Sequence, residues 1–238
     1  MIEMDQVIVR FGGVVALNAV SAAFADPVGG IIGPNGAGKT TLMNVVSGFV
    51  GSKGGRVVMN GVDILGTPPH KRAHMGLRRS FQKEQIADDL TVFENVLVQL
   101  DHRIGGVAAK RAEVARMIAY VGLTDLASTP GALLSGFERR LTDVARCLVG
   151  DPKLIMFDEP AGGMSVEETR RLGDLILGIH ALTGAQTLVI DHDVELIARV
   201  CSQTLVLDFG RRIAFGPTAD VLADPRVKAA YLGTEEVA

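Results

Sequence analysis

The 238-residue chain has no tryptophan, two cysteines and no uninterrupted apolar run near the ~18 residues that crossing a bilayer takes. Each shortage removes a class of protein. Cys147 and Cys201 stand far apart, without CxxC spacing or a Cys/His cluster, so neither a structural disulfide nor a zinc site is expected. Two buried thiols in a reducing cytosol fit them better. The formal charge of −3 leaves no basic footprint of the kind nucleic-acid binders carry, and no nucleic-acid partner is expected. The opening MIEMDQVIVRFGG carries charges within it and lacks a signal peptide's apolar run. What is present, 47% hydrophobic residues without a low-complexity stretch or internal repeat, reads as a soluble protein able to bury a sizeable core.

Short β-rich runs alternate with amphipathic stretches, the rhythm of an α/β protein. QVIVRF and AVSAAF read as strands, GGIIG as a buried strand entering a Gly-rich turn, KTTLMNVVSGF as a helix and GRVVMNG as a further strand. From about Glu84 to Gly150 the pattern is mainly helical, and Gly150 with Pro152 is expected to end the last of these helices. KLIMFDEP and AQTLVIDHD then read as apolar strands buried on both faces, the second being the last core strand, with a helix over SVEETRRLGDLILGIHAL between them. The economical architecture over 1–238 is one domain, a parallel sheet with a helical lobe inserted at 84–150.

The strongest motif is GPNGAGKT, Gly33-Pro34-Asn35-Gly36-Ala37-Gly38-Lys39-Thr40, which matches G-x-x-x-x-G-K-[ST] between a strand and a helix. Its glycines, lacking Cβ, let backbone N–H groups turn inward around phosphate oxygens, and the helix N-terminus adds to that anion site. Lys39 supplies a point charge, Thr40 a hydroxyl for Mg²⁺, and Thr41 joins the nucleotide-binding set. Asp158 and Glu159 close the run LIMFDEP at a strand's carboxyl end, where ligands of open α/β sheets bind. Asp158 is suited to hold Mg²⁺ opposite Thr40, and Glu159 to deprotonate an attacking water. His192 in LVIDHD is either a satisfied polar residue or a donor to the γ-phosphate. Phe11 is either a core aromatic or a ring that stacks on adenine. Gln82 in RRSFQKEQ carries no signal of its own.

In this order the motifs resemble the ATP-binding subunits of ABC transporters over essentially the whole chain. Phe11, the Walker A loop at 33–40 and Gln82 come first. The signature-like LSGFE at 134–138, Walker B at 154–159, a D-loop-like AGGM at 161–164 and His192 follow. The resemblance implies a P-loop NTPase core of α/β class with an N-terminal antiparallel β subdomain and an inserted helical subdomain. It implies ATP and Mg²⁺ as cofactors, and it raises Phe11, Gln82 and His192 to site residues. Gln82 then touches Mg²⁺ and the attacking water and couples the site to the membrane partner. FGGVVALNAVS, TPPHKRAHMGLRRSFQ, LTVFENV and the tail VLADPRVKAAYLG look like the subunits that power bacterial importers of branched-chain amino acids, or of urea and amides. A lipopolysaccharide-export ATPase is a competitor, against which SFQKE stands where LPQE would be expected. A soluble ABC ATPase of DNA repair or translation is the reading from another class. The importer implies permease subunits, a second ABC ATPase and a solute-binding protein as partners, and a place on the cytoplasmic face of the inner membrane.

LSGFE departs from the family. Phe137 stands where the pattern has a second glycine and Glu138 where it has glutamine. Ser135 and Glu138 keep the S-x-x-E spacing of a capping box, so the stretch is at least a capped helix start. In the family picture Ser135, Gly136, Phe137 and Glu138 reach across a dimer to the partner's γ-phosphate. There Phe137 is expected to hinder close approach and Glu138 to oppose the anion unless it folds back into the cap. The expectation that follows is a heterodimer, in which this chain keeps a competent hydrolytic site and lends its partner a weakened signature.

Overall fold

Alternating burial along Ile2–Phe11 (β1) and Val14–Phe24 (β2) builds an antiparallel hairpin around Gly12 and Gly13. In the computed structural model, which describes residues 1–232, Val28–Ile32 (β3) leaves this hairpin for a second sheet. Lys39–Ser47 (α1) follows it. Gly54–Met59 (β4) and Val62–Asp63 (β5) return to the hairpin and complete a four-stranded antiparallel sheet of order β2-β1-β4-β5.

After Pro69–His74 (α2) and Leu77–Arg79 (β6) come three helices, Val92–Leu97 (α3), Val107–Tyr120 (α4) and Gly136–Leu148 (α5). The chain then alternates through Leu154–Asp158 (β7), Val166–Thr183 (α6), Gln186–Ile190 (β8), Val194–Val200 (α7) and Gln203–Asp208 (β9). Arg211–Pro217 (β10), Thr218–Ala223 (α8) and Pro225–Leu232 (α9) end the described part, and Gly233 of the expected tail lies outside the described residues.

The second sheet has the order β10-β9-β3-β8-β7-β6, parallel throughout except for the antiparallel edge strand β10. Both of its faces are apolar because successive side chains of a strand point to opposite sides. Leu154 and Met156 of β7 pack with α1 and the antiparallel sheet, while Ile155 and Phe157 pack with the helices on the far face. Helix α1 is thus held between the two sheets, with Leu42, Met43, Val45 and Val46 buried.

One expectation needs correcting. AQTLVIDHD does not hold the last core strand, since β9 pairs in parallel with β3 on the side away from β8. TLVL, four consecutive buried residues, carries the same signal of a strand covered on both faces. Gly150 stands just past the end of α5, as expected. The helix ends at Leu148, Val149 is extended, and Gly150 (φ +80°) turns the chain one residue later. Cys147 and Cys201 are both free and buried, as expected.

Arg72 in α2 is 2% exposed and ties this end of the core together. Its guanidinium donates to Val45 O and Val46 O in the last turn of α1 at 2.6 and 2.7 Å, and to Thr67 O and Leu65 O at 2.7 and 3.0 Å. A cation at the C-terminal end of a helix also meets the negative pole of its dipole. Replacing it in Arg72→Met strands these buried carbonyls and costs about 3 kcal/mol. By calorimetry the melting temperature of a chain this size is then expected to fall by roughly 6–12 °C. Arg72→Lys recovers only part of the loss, because an ammonium lacks the planar fork.

Candidate functional site

The strand order places the ends of β3, β8 and β7 side by side, and the loops leaving them form the site. The first is the glycine-rich loop between β3 and α1. Gly33 runs against β9, where a Cβ would stand 2.2 Å from Leu207 O, so no other residue fits there. Gly38, at φ +103°, starts α1. Lys39 is buried, and its ammonium donates to Gly33 O at 2.6 Å and Pro34 O at 3.1 Å. Burial pushes that ammonium below its ordinary pKa, against the opposing pull of Glu159, Asp158 and Asp191.

The second loop leaves β7. Asp158 is buried, and its Oδ2 accepts from Arg79 Nη2 at 3.0 Å in an ion pair almost shut off from water. Arg79 also donates to Asn44 Oδ1 and Ser47 Oγ of α1 at 2.7 and 2.8 Å, which fixes the carboxylate to the helix that follows the phosphate loop. Glu159 takes up a left-handed backbone (φ +47°), uncommon outside glycine, and its N–H donates to Ile190 O at 2.7 Å. Its Oε2 accepts from Gln82 Nε2 at 2.8 Å.

The third loop carries His192 beyond β8. Its neighbour Asp191 is buried and accepts from Ala161 N and Asp193 N at 3.3 and 3.0 Å. Burial raises the Asp191 pKa, opposed by those N–H groups and by His192. The Asp191 Oδ1 lies 3.6 Å from His192 Nδ1, and the imidazole itself is largely exposed.

Two adjoining cavities result. One, of about 360 Å³, is lined by Gly33, Pro34, Asn35, Gln82, Glu159 and His192. The other, of about 330 Å³, runs along Asn35 to Thr41 and is bounded by Val14, Val15, Ala16, Phe209 and Gly210, with Glu159 shared between the two. The residues expected to act on the γ-phosphate therefore come together at one place. Phe11 is not a core aromatic, because it is 52% exposed where β1 ends, and it does not line either cavity.

Ser135 to Glu138 are likewise outside both cavities. The capping box is formed, with Ser135 N donating to Glu138 Oε2 at 2.7 Å and Glu138 N to Ser135 Oγ at 3.3 Å. Glu138 is thus turned back into the cap. Phe137 is half-buried against the helical core, its ring 5.4 Å from the Arg171 guanidinium carbon of α6, while Ser135 and Gly136 are exposed. The expected steric obstacle is therefore reduced, since the ring faces its own helices.

Sequence reasoning missed Arg79, Arg140, Asp191 and Phe209. The buried Arg140 of α5 donates to Phe81 O and Gln82 O at 3.1 and 3.0 Å and pairs with Glu84 at 2.8 Å, so it holds the segment that presents Gln82. Only Asp191 had a local signal, its place at the end of an apolar strand.

The ABC transporter family profile matches residues 22–162, and a profile of the branched-chain amino acid ATP-binding cassette transporter matches residues 211–237. The high-affinity branched-chain amino acid transport ATP-binding protein BraF of Pseudomonas aeruginosa is 35% identical, over 98% of each chain. LivG of Escherichia coli, of the same description, is 30% identical over 98% of each. The lipopolysaccharide export system ATP-binding protein LptB of Haemophilus influenzae is 34% identical over 89% of this chain and 88% of its own. Among solved structures, the ADP conformation of MJ1267, an ATP-binding cassette of an ABC transporter, is 28% identical over 98% of each chain with a TM-score of 0.88.

Asp143, beneath Arg140 on α5, provides a pH test of this scaffold. Burial raises its pKa to about 6, with Arg146 and Arg140 opposing the rise and Glu84 adding to it. A carboxyl that holds its proton more tightly when folded stabilises the fold at low pH, and loses that contribution as pH climbs through about 6. The part of the stability that declines between pH 5 and 7.5 is expected to shrink in Asp143→Asn, read from melting temperatures at the two pH values.

Proposed function

The chain belongs to the ATP-binding subunits of ABC transporters, and from that premise we propose that it powers an importer of branched-chain amino acids. It is an ATPase, and the permease subunits of such a transporter are its partners. Among the described residues no helix is long and apolar enough to cross a membrane, in keeping with peripheral association. The amino-acid reading rests on the match over residues 211–237 together with relatives that align over 98% of the chain. We place the subunit on the cytoplasmic face of the inner membrane, beside a solute-binding protein, with 84–150 as the helical lobe of a single domain. Similarity to LptB sets the rival reading, export of lipopolysaccharide.

The observation that carries hydrolysis is the convergence of Gln82, Glu159 and His192 on one cavity beside the phosphate loop. Backbone N–H groups of 33–38, Lys39 and the N-terminus of α1 bind the phosphates of ATP. The Gln82 amide holds the Glu159 carboxylate by one oxygen, leaving the other to take the proton of the attacking water. His192 donates to the γ-phosphate as charge builds there, and Phe11 serves the adenine. Thr40, Asp158 and Gln82 offer a hydroxyl, a carboxylate and an amide oxygen, the hard donors Mg²⁺ takes alongside nucleotide phosphates. The remaining positions of a Mg²⁺ ion held there would fall to nucleotide phosphates and water. When bound it offsets negative charge on the transferring phosphoryl group.

The signature helix completes the nucleotide site of a second ATPase subunit. With Glu138 folded back into the cap, the weakness we assign to it is that Ser135 N is already engaged by the Glu138 carboxylate rather than free for a phosphate. That favours a heterodimer in which this chain hosts the competent site.

In a reconstituted transporter, Glu159→Gln is expected to lower ATP turnover by about 10²–10⁴, the contribution of a general base, while ATP still binds. Stimulation by a binding protein loaded with leucine, isoleucine or valine supports the solute assignment, and stimulation by lipopolysaccharide alone overturns it. Robust turnover by this chain alone, unchanged in the double variant Phe137→Gly, Glu138→Gln, would rule out the heterodimer.

A further inference from the structure

Phe209 has no part in the mechanism above, yet the fold holds it in a costly place. It follows β9 in the turn to β10, is 84% exposed, and has φ +41°, a left-handed conformation in which a bulky side chain is an outlier. A large ring left in water on a strained backbone is the kind of outlier that points to function.

The turn is tied down on both sides. Gly210 N donates to Ala37 O of the phosphate loop at 2.9 Å, and Gly210 O accepts from Asn18 N of β2 at 2.7 Å. It sits so close to β2 that a Cβ on Gly210 would stand 2.5 Å from Ala16 O. These bonds place Phe209 on the wall of the 330 Å³ cavity along Asn35 to Thr41, beside the exposed Val14 and Val15. Gln82 and His192, which serve the γ-phosphate end, line the neighbouring cavity and not this one. Lys39, Thr40 and Glu159 line this cavity too, so it joins the phosphate-handling groups to an apolar and aromatic wall of Val14, Val15 and Phe209, and that wall suits a purine ring.

We infer that Phe209 stacks on the base of the bound nucleotide, adding from the β9–β10 turn a second aromatic to Phe11 of the β1–β2 hairpin. The inference rests on the ATP-binding reading; the two-residue turn between β9 and β10 demands φ > 0 at both of its positions, and an aromatic is carried there in place of the Asn, Asp or Gly that would suit it.

The full-length chain is titrated with ADP and with inorganic tripolyphosphate, which has the phosphates without the base. Phe209→Asn, a residue that tolerates the left-handed backbone, is expected to weaken ADP roughly tenfold, within the range for loss of a base–aromatic stack. Tripolyphosphate affinity and melting temperature are expected to hold or rise. The chain has no tryptophan, so Phe209→Trp introduces a sole indole, whose fluorescence is expected to be quenched by ADP and not by tripolyphosphate. Unchanged ADP affinity in Phe209→Asn, equal weakening of both probes, or an indole blind to bound ADP overturns the assignment. If the unaltered chain binds neither probe, it is the nucleotide reading itself that fails.

Discussion

The chemistry of this protein hangs on β8 lying between β3 and β7. Parallel strands finish at the same edge of a sheet, so this order brings the phosphate loop, the acidic pair and His192 to one line. A backbone bond closes the arrangement, since Glu159 N donates to Ile190 O at the end of β8. Because that bond joins main chain to main chain, it survives changes of side chain, and with it the left-handed turn that lifts Glu159 out of the strand. Strands β3, β8 and β7 are buried along their whole length, which suits them to the middle of the sheet, and the site inherits their order.

Several cations are then buried around the edge, each with partners. Arg72 bonds two carbonyls at the end of α1 and those of Leu65 and Thr67, Arg79 pairs with Asp158, Arg140 grips the backbone at 81–82, and Lys39 rests on two carbonyls of its own loop. Desolvating a guanidinium opposes folding unless its donors are satisfied, and such groups contribute geometry more than net stability. Arg79 illustrates this: one side chain sets Asp158 against Asn44 and Ser47, so the carboxylate and α1 keep a fixed relation.

What the sequence revealed was chiefly what is local. Gly33 to Thr40 and Asp158–Glu159 are legible because each motif contains its own loop, flanking strand and chemistry. The capping box at Ser135 is legible for the same reason, as an i, i+3 relation. Phe11 could not be placed, since alternation along a strand does not tell which end projects into water. Arg79 and Arg140 were invisible as site residues because their partners lie 79 and 58 residues away in the chain. Strand β9 was passed over although its buried run matches that of β8, and with it went the turn that carries Phe209. The Phe137 ring was expected to block a neighbour and instead packs inward, a choice made by α6.

Arg140 has one more consequence. Its guanidinium, on the helix that begins with Ser135, holds the carbonyls of Phe81 and Gln82, and Gln82 in turn holds Glu159. Helix α5 is therefore connected to Glu159, the base we propose, through a chain of two short links. A rotation of α5 must drag Gln82 along or tear a buried cation from its acceptors, a rupture on the order of 3–5 kcal/mol. Dragging is the easier course, so whatever pushes on the lobe also adjusts the aim of Glu159.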